Sequence, residues 1–217
     1  MSSASHMGYT GPPMVYLASQ SPRRSQLLEQ LGVRHTLLLP STDEDAEALE
    51  VVLPGEAPAD YVQRVTRLKL EAALQRRVAR GLPDAPVLCA DTTVALGREI
   101  LGKPKNQADA LRILRSLSGQ THRVLTAVAA AKGHQRVSEM SVSRVTFAPM
   151  STAELKAYVA TGEPMGKAGA YGVQGRAALY ISDIKGSYSG IMGLPIFETA
   201  QILQRLGFKL HACLDKS

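Results

Sequence analysis

Two hydrophobic patterns alternate along this chain of 217 residues, and their alternation restricts the fold more than the composition does. Short apolar runs at residues 14–18, 37–39 and 86–90 have the length and content of buried strands. Other segments carry apolar residues three or four positions apart, which indicates amphipathic helices. Gly97 and Gly133 each separate two runs with strand character, which indicates hairpins. The mixture predicts an α/β fold with a mixed central sheet flanked by helices.

Capping residues place the starts of the predicted helices, and glycines place several of their ends. The predicted helices cover residues 21–32, 60–80, 106–117, 151–162 and 195–206, and the remaining predicted strands cover residues 92–96, 99–101, 124–131, 137–147 and 177–184. The acidic segment 41–60 is predicted to be a loop, because Pro54 and Pro58 interrupt it. We expect a single domain at residues 14–211, preceded by a disordered or tag-like tail at residues 1–13.

Composition excludes several classes of protein. With 45% hydrophobic residues, the chain is not wholly disordered. The two cysteines, Cys89 and Cys213, are far apart, so they provide neither a disulfide framework nor a CxxC metal site. No apolar run approaches the ~20 residues of a membrane span. The first residues also lack the pattern of a signal peptide, so we expect a cytoplasmic protein with no membrane partner.

The charge balance favours a polyanionic partner. The chain has 25 basic and 19 acidic residues, a net charge of +6, which suits partners from a nucleotide to a nucleic acid. A nucleic-acid surface is disfavoured, because the chain has no block of Lys and Arg, no Trp and only 5% aromatic residues. We therefore expect no nucleic-acid partner, and the sequence leaves a homodimer open.

The first candidate site is an anion site at residues 17–24. A strand ends there, the hydroxyls of Ser19 and Ser21 follow, and Arg23 and Arg24 fall in the first turn of a helix. A helix N-terminus presents unpaired N–H groups and partial positive charge, so two arginines there are favourable when an anion lies between them. Phosphate matches the guanidinium group well. The same pattern also fits an ordinary capped helix with solvated arginines.

Further charged residues have both a functional and a structural interpretation. Asp91 directly follows an apolar strand, where a carboxylate is well placed for catalysis or a metal, or begins a turn. Lys103 stands between a glycine and a proline, which suits a phosphate contact or a solvated lysine. Glu44 offers oxygen to a hard cation, although acidic runs are usually solvated loops. Lys69, on the basic helix, is neutral evidence by itself.

A glycine-rich segment provides the last candidate. Five glycines from Gly162 to Gly175 permit a ligand to approach the backbone closely, or make a flexible loop. Gln174 offers both a donor and an acceptor, which suits the edge of a nucleobase. The chain contains no P-loop, no dinucleotide fingerprint after the first strand, and no zinc-protease or serine-hydrolase motif.

Six segments in order resemble the signatures of the Maf family: residues 17–24, 90–94, 102–104, 117–128, 167–175 and 193–199. The resemblance covers residues 14–206. It implies a nucleotide pyrophosphatase whose α/β fold is shared with inosine triphosphatases, with two lobes and the site in the cleft. The segment at 167–175 is similar to that of the subgroup acting on dTTP and UTP, which implies products of monophosphate and pyrophosphate.

The resemblance also implies residue roles. Asp91 matches the proposed proton acceptor of the family. The positions linked to base choice are matched by Arg23, Thr92 and Gln174, and the polar groups of the phosphate and metal site are matched by Ser19, Arg24, Glu44, Lys69 and Lys103. A Mg²⁺ or Mn²⁺ ion held by Glu44 and Asp91 is the implied cofactor. The alternative function is a non-catalytic nucleotide-binding regulator of septum formation, the process for which the family was first named.

Overall fold

The computed structural model describes residues 14–42, 44 and 47–210. The predicted tail at residues 1–13 and the last residue of the predicted domain lie outside the described residues. Seven strands form one sheet: β1 Val15–Leu17, β2 His35–Leu37, β3 Val87–Leu96, β4 Glu99–Leu101, β5 Thr121–Lys132, β6 Gln135–Phe147 and β7 Ile181–Lys185. The order is β2-β1-β3-β5-β6-β7, and β4 pairs with β3. β1 is parallel to its neighbours and the other pairs are antiparallel, which confirms a mixed sheet.

Helices flank this sheet, as the sequence predicts. They are α1 Pro22–Gln30, α2 Pro58–Ala79, α3 Gln107–Leu117, α4 Thr152–Ala160, α5 Tyr188–Met192 and α6 Ile196–Arg205. Short 3-10 turns occur at Glu47–Glu50, Ala168–Ala170 and Arg176–Leu179. Of the helices in the described part of the chain, none has both the length and the apolar content needed to cross a membrane.

Two predicted helix starts are confirmed by their capping bonds. The Asn106 side chain accepts a hydrogen bond from the Asp109 N–H at 2.9 Å, and Ser151 with Glu154 forms a reciprocal capping box. Helix α2 starts earlier than predicted, with Pro58 rather than Asp60 near its first position. Proline fits there because its missing N–H has no partner inside the helix, and Asp60 remains in the first turn, where its charge is favourable.

Three strand predictions are wrong. The strand predicted at residues 37–39 lies at His35–Leu37 instead, because these residues pair with β1. The segments 86–90 and 92–96 form the single strand β3, because Asp91 and Thr92 continue its pairing with β5. The segment 177–184 begins instead as a 3-10 turn, and only Ile181–Lys185 forms a strand.

The continuous strand β3 passes between separate parts of the core. Leu88 and Ala90 pack with β1, α1 and α6 on one face of the sheet, while Val87 packs against α2 on the other. Val94 packs with α3, α4 and the glycine-rich segment. Between these parts, Asp91 and Thr92 are only half-buried. The main cleft therefore opens at the middle of β3.

Candidate active site

The cleft brings together most of the residues that the sequence singles out. Its volume is about 680 Å³, within the usual range for small-molecule sites. Eight of the nine predicted site residues line it: Ser19, Arg23, Arg24, Glu44, Lys69, Asp91, Thr92 and Lys103. They come from the start of α1, the acidic segment, α2, β3 and the turn after β4.

A chain of ion pairs forms one side of the cleft. The Lys69 ammonium donates to Asp91 Oδ1 at 2.6 Å and to Glu50 Oε1 at 2.8 Å. The Lys103 ammonium donates to Glu50 Oε2 at 2.9 Å. The Lys69 and Asp91 side chains are 20% and 13% exposed, so this pair is largely shielded from water. Two carboxylates are therefore held close together by one lysine.

The ion pairs keep the side chains of Lys69 and Glu50 charged. Burial by itself lowers the pKa of Lys69, but Asp91 and Glu50 outweigh it and leave that pKa raised. Burial raises the pKa of Glu50, but Lys69 and Lys103 outweigh it and leave that pKa lowered. At neutral pH, Lys69 is therefore a cation and Glu50 an anion.

The resemblance implies that Glu44 holds a metal ion together with Asp91, but in the structure Glu44 is bound by an arginine instead. Its two carboxylate oxygens accept from Arg76 at 2.9 and 2.5 Å, and these bonds hold its pKa at about 2. Arg76, buried on α2, also donates to the Leu38 carbonyl oxygen. Glu44 thus compensates a buried arginine at the cleft edge, whereas Glu50 shares Lys69 with Asp91.

Sequence reasoning missed Glu50. Local sequence does not distinguish it from the other acids of segment 41–60. The 3-10 turn Glu47–Glu50 packs against α2, and this contact brings Glu50 to Lys69. Only the tertiary packing therefore identifies Glu50 as a residue of the site.

The start of α1 forms a second polar wall. Arg24 donates from Nε to the Gly193 carbonyl oxygen at 2.7 Å, from Nη1 to Ser19 Oγ at 2.9 Å and from Nη2 to Thr92 Oγ1 at 3.5 Å. Burial lowers the pKa of Arg24, and Asp91 opposes that effect. Arg24 therefore links α1, β3 and the segment after α5, as well as contributing positive charge.

The remaining end of the cleft is mainly apolar. Its wall includes Val94, Val124, Met165, Ala168, Tyr171, Val173, Ile191 and Met192. The polar groups nearby are Thr92, Arg23 and Lys167, whose ammonium donates to the Glu163 carbonyl oxygen. Burial lowers the pKa of Lys167, and Arg23 adds to that effect. An apolar wall with a few polar groups suits a flat heterocycle better than a phosphate.

Gln174 does not line the cleft, although the sequence predicts it at the site. It is the one predicted site residue that the structure places elsewhere. The Gly175 N–H bonds to the Gly172 carbonyl oxygen at 3.0 Å, which makes a turn with Val173 and Gln174 at its centre. Val173 is buried and lines the cleft, whereas Gln174 is exposed.

The donor set beside Lys69 fits a hard divalent cation only in part. Asp91 and Glu50 supply carboxylate oxygens, the ligand type that Mg²⁺ and Mn²⁺ prefer. Among the described residues, no group of three or more His, Cys, Asp or Glu side chains is placed to hold a metal ion. Mg²⁺ commonly takes one or two carboxylates and completes its shell with water and substrate phosphates, which this pair permits.

The cleft as a whole has a positive excess. In the described part of the chain, six cationic side chains line it against three carboxylates: Arg23, Arg24, Lys69, Arg76, Lys103 and Lys167 against Glu44, Glu50 and Asp91. A mixed α/β fold with such a cleft, apolar at one end, defines a class of proteins that bind phosphorylated small molecules.

Comparison with known proteins identifies the family. The model of the Maf-like protein family matches residues 14–206, and the chain belongs to this family. A relative from Albidiferax ferrireducens, named dTTP/UTP pyrophosphatase, is 68% identical over 90% of this chain and 98% of its own length. Relatives of the same name from a Polaromonas species and from Cupriavidus pinatubonensis are 67% and 64% identical, covering 90% and 88% of this chain and 97% and 96% of their own lengths.

Proposed function

We propose that this chain hydrolyses dTTP and UTP between the α and β phosphates, releasing the nucleoside monophosphate and pyrophosphate. The observation that carries the proposal is the pair of carboxylates, Asp91 and Glu50, held by Lys69 in a cleft with excess positive charge. The name shared by these three relatives supports the choice of dTTP and UTP.

The cations of the cleft bind and orient the triphosphate. Arg24 at the start of α1 and Lys103 after β4 contribute positive charge from different elements. These charges hold the triphosphate in one orientation, with its α–β anhydride beside Asp91. The attack of water then takes place between groups that are already positioned.

Asp91 orients the attacking water and accepts its proton. The water oxygen forms a bond to the α-phosphorus, the bond from that phosphorus to the bridging oxygen breaks, and pyrophosphate leaves with the bridging oxygen. Lys69 holds Asp91 Oδ1 at 2.6 Å and thereby fixes the direction of the carboxylate. Lys69 is therefore a positioning residue for Asp91 in this proposal.

A divalent cation, Mg²⁺ or Mn²⁺, completes the proposed site. When bound, it neutralises phosphate oxygens and makes phosphorus more electrophilic. Glu50 is the carboxylate that would hold it directly, in place of Glu44, because Glu50 shares Lys69 with Asp91. Asp91 would contact the cation only through water, because a carboxylate bound directly to a cation is a poor base.

The regulator alternative requires nucleotide binding without hydrolysis. Cationic side chains and an apolar base pocket are sufficient for binding, and a carboxylate pair facing polyphosphate weakens it through repulsion. The presence of Asp91 and Glu50 among the cations therefore favours catalysis. We propose that the enzyme acts on the nucleotide pool of the cytoplasm without a nucleic-acid partner. Sedimentation analysis would show whether it forms the homodimer that the sequence leaves open.

The decisive experiment separates reaction products by chromatography. The protein is incubated with Mg²⁺ or Mn²⁺ and each of dTTP, UTP, CTP, GTP and ATP, together with Asp91→Asn and the control Asp84→Asn. Asp84 pairs with Arg77 and is half-exposed outside the cleft. We expect monophosphate and pyrophosphate from dTTP and UTP, a loss of about 10²–10⁴-fold in kcat for Asp91→Asn, and normal turnover for Asp84→Asn. Nucleotide binding without pyrophosphate release by any form would support the regulator instead.

A further inference from the structure

We propose that Thr126, which lies behind the cleft wall, fixes the Thr92 hydroxyl as a hydrogen-bond acceptor and so favours uracil and thymine over cytosine. This inference rests on the proposed function and extends it to base selection. Thr126 is 1% exposed and does not line the cleft, whereas Thr92 does. Thr126 would thus act through Thr92 as a positioning residue.

The two threonines face each other across neighbouring strands. Thr92 of β3 and Thr126 of β5 are directly paired in the antiparallel ladder. Their hydroxyl oxygens are 3.0 Å apart, and Thr126 Oγ1 is 2.7 Å from the Gly190 carbonyl oxygen. A short row of oxygens therefore runs from Gly190 through Thr126 to Thr92 at the cleft.

The direction of the hydrogen bonds in this row is determined by its inner end. The Gly190 carbonyl has no proton, and two oxygens 2.7 Å apart repel each other unless a proton lies between them, so Thr126 donates its single hydroxyl proton to Gly190. Thr126 then accepts from Thr92, which uses the only proton of Thr92. Towards the cleft, Thr92 presents lone pairs alone, and Arg24 Nη2 approaches it as a donor at 3.5 Å.

This polarity distinguishes pyrimidine bases at ring position 3. Uracil and thymine carry an N–H there, which an acceptor binds, whereas cytosine carries a lone pair, which an acceptor repels. The carbonyl groups on both sides of this N–H are acceptors, and Arg23 and Lys167 are donors at the same end of the cleft. Because the rest of that end is apolar, a mispaired polar group finds no substitute partner.

Thr126→Val tests the inference directly. Valine matches the shape of threonine without the hydroxyl, and the Gly190 carbonyl oxygen keeps the Gly193 N–H at 3.0 Å. The Thr92 hydroxyl is then free to rotate and donate to cytosine. We expect the ratio of kcat/KM on UTP to that on CTP to fall at least about fivefold. Thr126→Ser restores the row and should retain the wild-type ratio.

Thr121→Val is the matched control. Thr121 of β5 and Thr146 of β6 form the same kind of cross-strand hydroxyl pair, at 2.8 Å, but on the exposed surface away from the cleft. Its ratio should equal that of the wild type. The double variant Thr92→Val/Thr126→Val should show no further change in the ratio beyond Thr92→Val, because Thr126 acts only through Thr92.

The outcomes separate this inference from the proposed function. A wild-type protein without turnover of UTP would contradict the function, and calorimetric binding of UMP and CMP to the same variants would still test base selection. An equal loss of activity on UTP and CTP in Thr126→Val would show a purely structural role and overturn the inference. Thr126→Ala provides the same comparison should the valine variant fail to fold.

Discussion

Glu44 and Glu50 belong to one acidic segment, yet they pair with different cations and therefore differ in what they can bind. Both oxygens of Glu44 are bound by Arg76, whose side chain is 7% exposed. Glu50 instead lies between Lys69 and Lys103, and lysine side chains are more easily displaced than the rigid fork of an arginine. Of these two carboxylates, Glu50 is therefore the one that would exchange a lysine for a cation in the proposed mechanism.

Glu50→Gln and Glu44→Gln should separate metal binding from stability. In Glu50→Gln, the Mg²⁺ concentration for half-maximal activity should rise about tenfold or more, because one anionic ligand is lost. Glu44→Gln should keep the wild-type Mg²⁺ requirement. It should lower the free energy of unfolding by about 1–3 kcal/mol, because Arg76 loses a charged hydrogen-bond partner. Mg²⁺ titrations and urea unfolding of both variants measure these effects, and a raised Mg²⁺ requirement in Glu44→Gln alone would reverse the assignment.

For single residues, sequence prediction located those that line the cleft where they lie in an element with a strong local pattern. It placed Arg24 at a helix start and Lys69 on the helix α2, although only the family resemblance assigned Lys69 to the site. It failed for Glu50 and Gln174, because the orientation of a side chain in a turn depends on what the turn packs against.

The glycine-rich segment at residues 162–175 is attached to the sheet through a close contact between Gly169 and β3. Gly169 has φ +69°, and its N–H bonds to the Gly102 carbonyl oxygen at 3.1 Å. A Cβ at this position would lie 2.8 Å from a methyl carbon of Val94 on β3. The close approach of Gly169 to Val94 places the neighbouring Lys167 and Ala168 at the cleft wall.

Gly169→Ala should therefore displace this segment, and Gly162→Ala is its control. Gly162 has φ +74° but no atom within 4 Å of the added carbon, so both variants share the backbone strain and only one adds a clash. Gly169→Ala should be less stable than Gly162→Ala by about 1–3 kcal/mol, the usual cost of overpacking. It should also show a higher KM for UTP. Thermal unfolding and steady-state kinetics provide the comparison, and equal behaviour of the two variants would contradict this account of the loop.

Across the molecule, long strands connect the separate parts of the core, and the cleft opens where β3 passes from one part to the next. The sequence predicted the mixed sheet, because hydrophobic periodicity is local. It placed a break at Asp91, because a polar residue after an apolar run has the local signature of a strand end. The pairing of Asp91 with Ala127 and of Thr92 with Thr126 is non-local, and only this pairing makes β3 continuous.

His122 connects the stability of the whole molecule to pH. It is 2% exposed, lies edge-on to Phe147 and Tyr171, and its Nε2 is 2.7 Å from the Tyr171 hydroxyl. Burial lowers its pKa from the ordinary value of 6.5 to about 4. The folded protein therefore holds His122 neutral, whereas the unfolded chain takes up a proton below pH 6.5. The resulting stability is complete above pH 6.5 and is lost as the pH falls towards 4.

Between pH 7 and pH 5, this one group should lower the free energy of unfolding of the wild type by about 2 kcal/mol, as linkage between the two pKa values requires. His122→Gln cannot take up the proton, so its stability should change by that much less over the same interval. Urea unfolding at both pH values measures the difference. The other four histidines, His6, His35, His134 and His211, remain in both proteins, so their contribution cancels. Nuclear magnetic resonance titration of the His122 ring gives an independent check, and a midpoint near 6.5 in the folded protein would remove the basis for the prediction.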